Sequence, residues 1–146
     1  MVLNKDFREF IQLLNSHKIK YLVVGGYAVT MHGYPRYTAD IDIWFCIDKS
    51  NAEKLIEALR DFGFGSLDIK INDFLNPNKV IQLGYPPNRI DLLTSISGVE
   101  FDECYPKRVN TDIAGIQIDF IDLESLKKNK KATGRHKDLN DLENLE

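Results

Sequence analysis

Apolar positions along the chain follow two rhythms, and their alternation predicts a sheet carrying helices. Leu3, Phe7, Phe10, Ile11 and Leu14 recur three or four residues apart within 3–17, the spacing of an amphipathic helix lying on a sheet. His17 stands where it can meet the C-terminal end of that helix dipole. Tyr21 to Val24 is a short β-branched run, a buried strand from about residue 20 that stops at Gly25-Gly26. A helix opened by the diglycine follows, and Gly33 and Pro35 end it, with His32 as a hydrogen-bonded cap. A second strand runs from Asp40 to Phe45. Side chains alternate across a strand, so Asp40, Asp42 and Trp44 share one face while Ile41, Ile43, Phe45 and Ile47 share the other. Trp44 reads as a packing residue, because a solvated face seldom carries a tryptophan.

Downstream, Ser50-Asn51-Ala52-Glu53 has the form of a capping box, and Leu55, Ile56, Leu59 and Phe62 then lie on one helix face until Gly63. Residues 64–78 are irregular, with a short helix near Ile71 to Leu75 and a turn at Asn76-Pro77-Asn78. Strands at 79–84 and 89–95 flank Tyr85-Pro86-Pro87-Asn88, a hairpin with a proline-fixed turn. Two more strands, at 108–113 and 116–120, hinge at Ala114-Gly115. Asp119 and Asp122 are candidate caps for a helix from Leu123 to about Lys131, and Thr133-Gly134 leads to a last helix with Leu139, Leu142 and Leu145 at helical spacing. The expected fold class is α+β: a mixed β-sheet with helices packed on it, as one domain over 1–146 with a helical C-terminal extension from about residue 122.

A chain of 146 residues with 43% apolar and 28% charged content can bury a sizeable core. Its net charge of −3 argues against a broad nucleic-acid footprint. Cys46 and Cys104 lie far apart with no CxxC or histidine cluster beside them, which excludes a zinc knuckle and disfavours a disulfide scaffold. No apolar run approaches the roughly 18 residues of a membrane helix, and no signal peptide is visible, so no membrane partner and a cytoplasmic location are expected.

Candidate chemistry gathers between residues 25 and 42. Backbone without a Cβ at Gly25-Gly26 admits close approach of another group, and N–H groups at the start of a helix suit an anion such as phosphate. Asp40 and Asp42 side by side repel unless a cation sits between them, and Mg²⁺, a hard ion for carboxylate oxygens, is the obvious candidate. Arg36 and Thr38 lie in the loop entering that strand, where an arginine can steady a triphosphate, pair with a carboxylate or stay solvated. Asp91 interrupts the apolar run Ile90-Asp91-Leu92-Leu93 and needs either solvent or a cation. Lys127, Lys128, Lys130, Lys131, Arg135 and Lys137 form a basic strip, a pattern that usually means a solvated helix face; Asp138, Asp141 and Glu143 can pair with it at little gain.

Gly25-Gly26 followed after thirteen residues by Asp40-Ile41-Asp42-Ile43 resembles the nucleotidyltransferase superfamily with the DNA polymerase β-like fold. The string with His32-Gly33, Arg36, Thr38 and Asp40 is similar to a small bacterial branch that includes AbiEii-type toxins. The resemblance implies transfer of a nucleoside monophosphate from a nucleoside triphosphate, ATP in the first place, to an acceptor hydroxyl on a protein, an RNA or a small molecule. It implies two Mg²⁺ (or Mn²⁺) ions held by Asp40, Asp42 and a third carboxylate on a neighbouring strand. Asp91 fits that role best, with Asp68, Asp73 and Asp119 as competitors. Gly25 and Gly26 would hold the phosphates, and by the C-terminal signature Lys131 or Arg135 would turn towards them. A toxin–antitoxin partner belongs to the same resemblance. Two other readings stay open: a catalytically idle nucleotide-binding or interaction module, and a metal-dependent nucleotide hydrolase.

Overall fold

Tyr21–Val24 (β1) is buried at every position, and the rest of the sheet is built outward from it. In a computed structural model describing residues 3–65, 68–85 and 87–145, six strands lie in the order β3-β4-β2-β1-β6-β5. These are β2 (Ile41–Phe45), β3 (Val80–Leu83), β4 (Ile90–Leu93), β5 (Val109–Ile113) and β6 (Ile116–Phe120) around β1. β1 runs antiparallel to β2 and parallel to β6, and β2 runs parallel to β4. The hairpins β3–β4 and β5–β6 close the two edges. The sheet is therefore mixed, as the sequence pattern predicts. Pro86, in the expected hairpin turn, lies outside the described residues.

Helix α1 (Lys5–Ser16) is capped by Asn4, whose side chain accepts from the Phe7 N–H at 2.9 Å, and it buries Phe7, Phe10, Ile11 and Leu14. His17 occupies the C-cap, yet its imidazole turns to Asp61 at 2.8 Å and not to the helix end. Helix α2 (Gly25–Met31) starts directly from β1, and the His32 ring bonds the Ile121 carbonyl at 2.7 Å.

Helix α3 (Lys49–Leu59) begins two residues earlier than a Ser50 cap requires. Asp48 takes the N-cap and accepts from the Asn51 N–H at 3.1 Å. Asn51 is thereby freed to bury its amide, accepting from Lys20 N–H at 2.8 Å and donating to the Lys20 and Cys46 carbonyls at 3.1 Å each. One side chain thus ties the entry of β1 to the exit of β2. Ile47, beyond the end of β2, is exposed. Helix α4 (Phe101–Cys104) and the 3₁₀ turn Tyr105–Lys107 were not marked by hydrophobic period, since four residues cannot display one. Phe101 meets the buried Trp44 edge-on at 5.1 Å, so Trp44 is a packing residue. Both cysteines are free thiols. No described helix is long and apolar enough to cross a membrane.

Asn51→Ala would leave the part-buried Lys20 N–H and Cys46 carbonyl without their side-chain partner, while the Lys20 carbonyl keeps the Cys46 N–H at 3.4 Å. Urea unfolding should show a loss of about 2 kcal/mol, since each such group costs about 1–3 kcal/mol and partial hydration recovers some of it.

Candidate functional site

The parallel register of β2 and β4 sets Asp42 opposite Asp91. On the other side of β2, Val24 lies opposite Asp42, so the diglycine turn begins where the carboxylate projects. Gly25 adopts φ +65°, and a Cβ there would collide with the Asp42 carboxylate. The glycine is thus required twice, by its backbone conformation and by the acid packed on it. A Cβ on Gly26 would meet Thr38 and Arg36. The Thr38 hydroxyl donates to the Asp40 carbonyl at 3.2 Å, fixing the bend before β2.

Asp40 sits on that bend, one residue ahead of β2. One of its oxygens accepts from the Arg89 N–H at 2.9 Å and the other lies 3.3 Å from the guanidinium. The same guanidinium grips Asp91 with both arms, Nε to Oδ1 at 2.6 Å and Nη2 to Oδ2 at 3.0 Å. Arg89 was missed by sequence reasoning, although a signal existed: it precedes Asp91 by two and shares its strand face. The competing acids have other tasks. Asp68 lies 3.8 Å from Lys70, Asp73 accepts from the Lys70 N–H at 2.8 Å, and Asp119 accepts from Asn110 at 2.9 Å. Asp119 therefore caps nothing, whereas Asp122 does cap the helix that follows.

Asp42 forms no ion pair among the described residues. Burial, the negative charge of Asp91, a hydrogen bond shared with it and the charge of Asp40 push the Asp42 carboxyl up to about 6, with Lys130 acting in the opposite sense. Among the described residues no three acidic, histidine or cysteine groups form a ready metal cage. Arg89 already holds two of the three carboxylates, Asp40 and Asp91.

Across the cleft stand α5 (Leu123–Thr133) and α6 (His136–Asn144), joined at Gly134. The leucine period suggested an apolar inner face for α6, but Leu139 is exposed and the fully buried residues are Asp138 and Asp141. Lys130 Nζ lies 3.2 Å from Asp138 and 3.1 Å from Asp141. Arg36 forks onto Asp141 at 2.8 and 3.0 Å, and Arg135 onto Asp138 at 2.7 and 3.2 Å. Burial opposes ionisation of Asp138, yet hydrogen bonds from Arg135, Thr133 and Lys130 and the Lys130 charge hold it well below the usual carboxylate range. The expectation of weak solvated pairs is thus corrected: these acids are enclosed and multiply bonded, a setting in which losing one partner is costly. Lys131 is exposed and does not reach the cleft; its neighbour Lys130 does.

The cleft has two lobes. The larger, about 630 Å³, is lined by Gly25, Gly26, Arg36, Lys130 and Arg135 with apolar walls from Val80, Leu93 and Ile96. The other, about 430 Å³, holds Asp40, Asp91 and Arg89 beside Thr38 and Tyr37. Gly26, Asp42, Arg135 and Lys137 line both.

Two variants test this charge arrangement in the metal-free protein. With Asp42 raised, the folded state keeps a proton that the unfolded chain has released between pH 4 and 6, so stability falls as pH rises through that window. Asp42→Asn should flatten this slope in urea melts and leave the protein about 2 kcal/mol more stable at pH 7. Arg89→Met should lower the melting temperature in EDTA and enlarge the rise that Mg²⁺ produces, since it leaves Asp40 and Asp91 without their internal cation.

Several solved structures share the fold. A protein described as a nucleotidyltransferase from Thermotoga maritima matches with TM-score 0.62 at 17% identity, covering 94% of this chain and 88% of its own. The lincosamide antibiotic adenylyltransferase LnuA, lincomycin-bound, matches with TM-score 0.57 at 20% identity over 99% and 96%. ANT(2")-Ia in complex with adenylyl-2"-tobramycin matches with TM-score 0.56 at 12% identity over 94% and 83%. No curated protein matches the sequence. The family described as "Nucleotidyltransferase of unknown function", DUF6036, matches residues 3–146, and the chain belongs to that family.

Proposed function

We propose that the chain moves a nucleoside monophosphate from a nucleoside triphosphate to an acceptor hydroxyl and releases pyrophosphate. The observation that supports this most is the Asp42–Asp91 pair set by strand register against a diglycine turn, with a buried cationic network across the cleft. In this reading Gly25, Gly26, Arg36, Lys130 and Arg135 face the polyphosphate. Thr38 fixes the approach of Asp40, and Lys131 stays outside.

The donor set suits a hard divalent cation, because Asp42 and Asp91 stand opposite each other, burial and the charge of Asp91 raise the Asp42 carboxyl, and Asp42 has no ion-pair partner among the described residues. Asp42 and Asp91 would hold Mg²⁺ or Mn²⁺, with Asp40 beside them; an ion on Asp91 or Asp40 would compete with Arg89. Bound there, such an ion neutralises phosphate charge and makes an acceptor hydroxyl more acidic. The acceptor oxygen attacks the α-phosphorus in line, the bond to the pyrophosphate oxygen breaks, and Asp91, with one oxygen released by Arg89, would take the acceptor proton. Arg36 and Lys130, fixed by Asp141 and Asp138, stabilise charge moving onto the leaving group without reorganising.

The acceptor is a protein, an RNA or a small molecule; LnuA and ANT(2")-Ia are named with antibiotics, which puts small molecules among the acceptors to try first. The AbiEii-like string adds a toxin–antitoxin setting, supported by motif alone. The grip of Arg89 on Asp40 and Asp91 favours one rival reading, an idle module whose internal arginine has replaced the metal.

Calorimetry with ATP and Mg²⁺ should give binding that Asp42→Asn weakens at least tenfold, about 1.4 kcal/mol. Pyrophosphate release dependent on an added acceptor would separate enzyme from idle binder, and release without one would mark a hydrolase. Lys130→Met should weaken triphosphate affinity by about tenfold while Lys131→Met leaves it unchanged; equal effects of the two would remove Lys130 from the site.

A further inference from the structure

The larger lobe extends past its basic groups to a wall formed by β3, β4, the segment after β4 and α5. Val80, Leu93, Ile96 and Ala132 make this end apolar. Three polar side chains interrupt it: Ser97, Asn129 and Thr133. The Thr133 hydroxyl is engaged away from this wall, beside Asp138 and within 3.2 Å of the Asn129 carbonyl and 3.0 Å of the Lys130 carbonyl. The Ser97 hydroxyl rotates and can donate or accept, so it does not discriminate. Asn129 differs from both. It is only 9% exposed, and its Nδ2 donates to the Ser97 carbonyl at 2.9 Å. A carbonyl can only accept, so the amide cannot flip, and Oδ1 is fixed as an acceptor. That oxygen meets no donor among the described residues and keeps access to solvent, and its residue lines the cavity.

Water can meet this oriented acceptor in the free protein, and a ligand that displaces the water has to supply an N–H in its place. We propose that Asn129 reads the nucleobase and selects adenine; this rests on the nucleotide site proposed above. Adenine's exocyclic amine supplies the donor, and adenine alone of the four common bases carries no carbonyl oxygen. Guanine, cytosine and uracil would each bring a carbonyl to a half-open wall of Val80, Leu93, Ile96 and Ala132 that offers it no fixed side-chain donor, so each gains less there than adenine does. The flat apolar walls suit the ring faces. Lys130, next to Asn129 on the same helix, turns to the basic end of the lobe, so base and phosphates are read by adjacent residues.

Binding of four Mg²⁺–triphosphates to the full chain tests the assignment: ATP; ITP, with a 6-carbonyl in place of the amine; purine riboside triphosphate, with neither; and GTP. ATP should bind about tenfold or more tighter than each of the other three, because a site built around one hydrogen bond rejects ligands that cannot make it. Asn129→Ala should bring ATP down to the level of ITP and leave ITP unchanged. The comparison of ATP with purine riboside triphosphate on the wild type needs no variant and holds even if Asn129→Ala unfolds. Equal wild-type affinity for these two overturns the role of Asn129 and leaves the nucleotide site standing. Binding of no triphosphate overturns both.

Discussion

Two carboxylates are held together by strand register. Once β2 and β4 pair in parallel with Asp42 opposite Asp91, the chain has no means of separating them, because a one-residue slip would turn the buried Ile41 and Ile43 to the other face. Unit charges of one sign about 4 Å apart repel by about 4 kcal/mol at the effective dielectric near a protein surface. That exceeds what one neutral hydrogen bond returns, so compensation has to be electrostatic. The fold supplies it in two ways: Arg89 forks onto Asp91 and reaches Asp40, and Asp42 holds its proton up to about pH 6. Gly25 completes the arrangement by giving the Asp42 carboxylate the room that a Cβ would fill.

The far side of the cleft has the opposite balance. Arg36, Lys130 and Arg135 surround Asp138 and Asp141, three cations to two carboxylates, while among the described residues Asp40 and Asp91 form ion pairs with Arg89 and Asp42 forms none. A polyphosphate accompanied by a divalent cation has the same polarity, anionic along the phosphates and cationic at the ion. The buried acids of α6 are what keep the basic side in place. Asp141 fixes Arg36, which also packs over Gly26, so the last helix and the diglycine turn share one guanidinium.

Much of this architecture was written in local pattern. β1, the helices around it, both hairpins and the mixed sheet followed from periods of two and 3.6 and from glycine and proline punctuation, and the Gly25-Gly26 to Asp42 spacing marked where to look. What escaped notice depended on tertiary partners. Arg89 had no motif to announce it, and its role appears only when β4 lies beside the bend at Asp40. Lys131 and Lys130 are indistinguishable in a run of lysines until the rotation of α5 is fixed. Asp138 and Asp141 looked solvated because burial of an acid is legible only with its cations in view. Asn129 became informative once its partner, the Ser97 carbonyl, was known, and Asp48 took the cap expected at Ser50 by accepting from the Asn51 N–H.

Every chemical role above depends on the two lobes acting as one site around Asp42. A crystal structure with Mg²⁺ and a non-hydrolysable ATP analogue is the most direct measurement of that claim. The account predicts the triphosphate between Gly25-Gly26 and Lys130, with an ion on the Asp42 and Asp91 oxygens. A triphosphate bound elsewhere, with Asp42 left facing only Asp91 and Arg89, would contradict it.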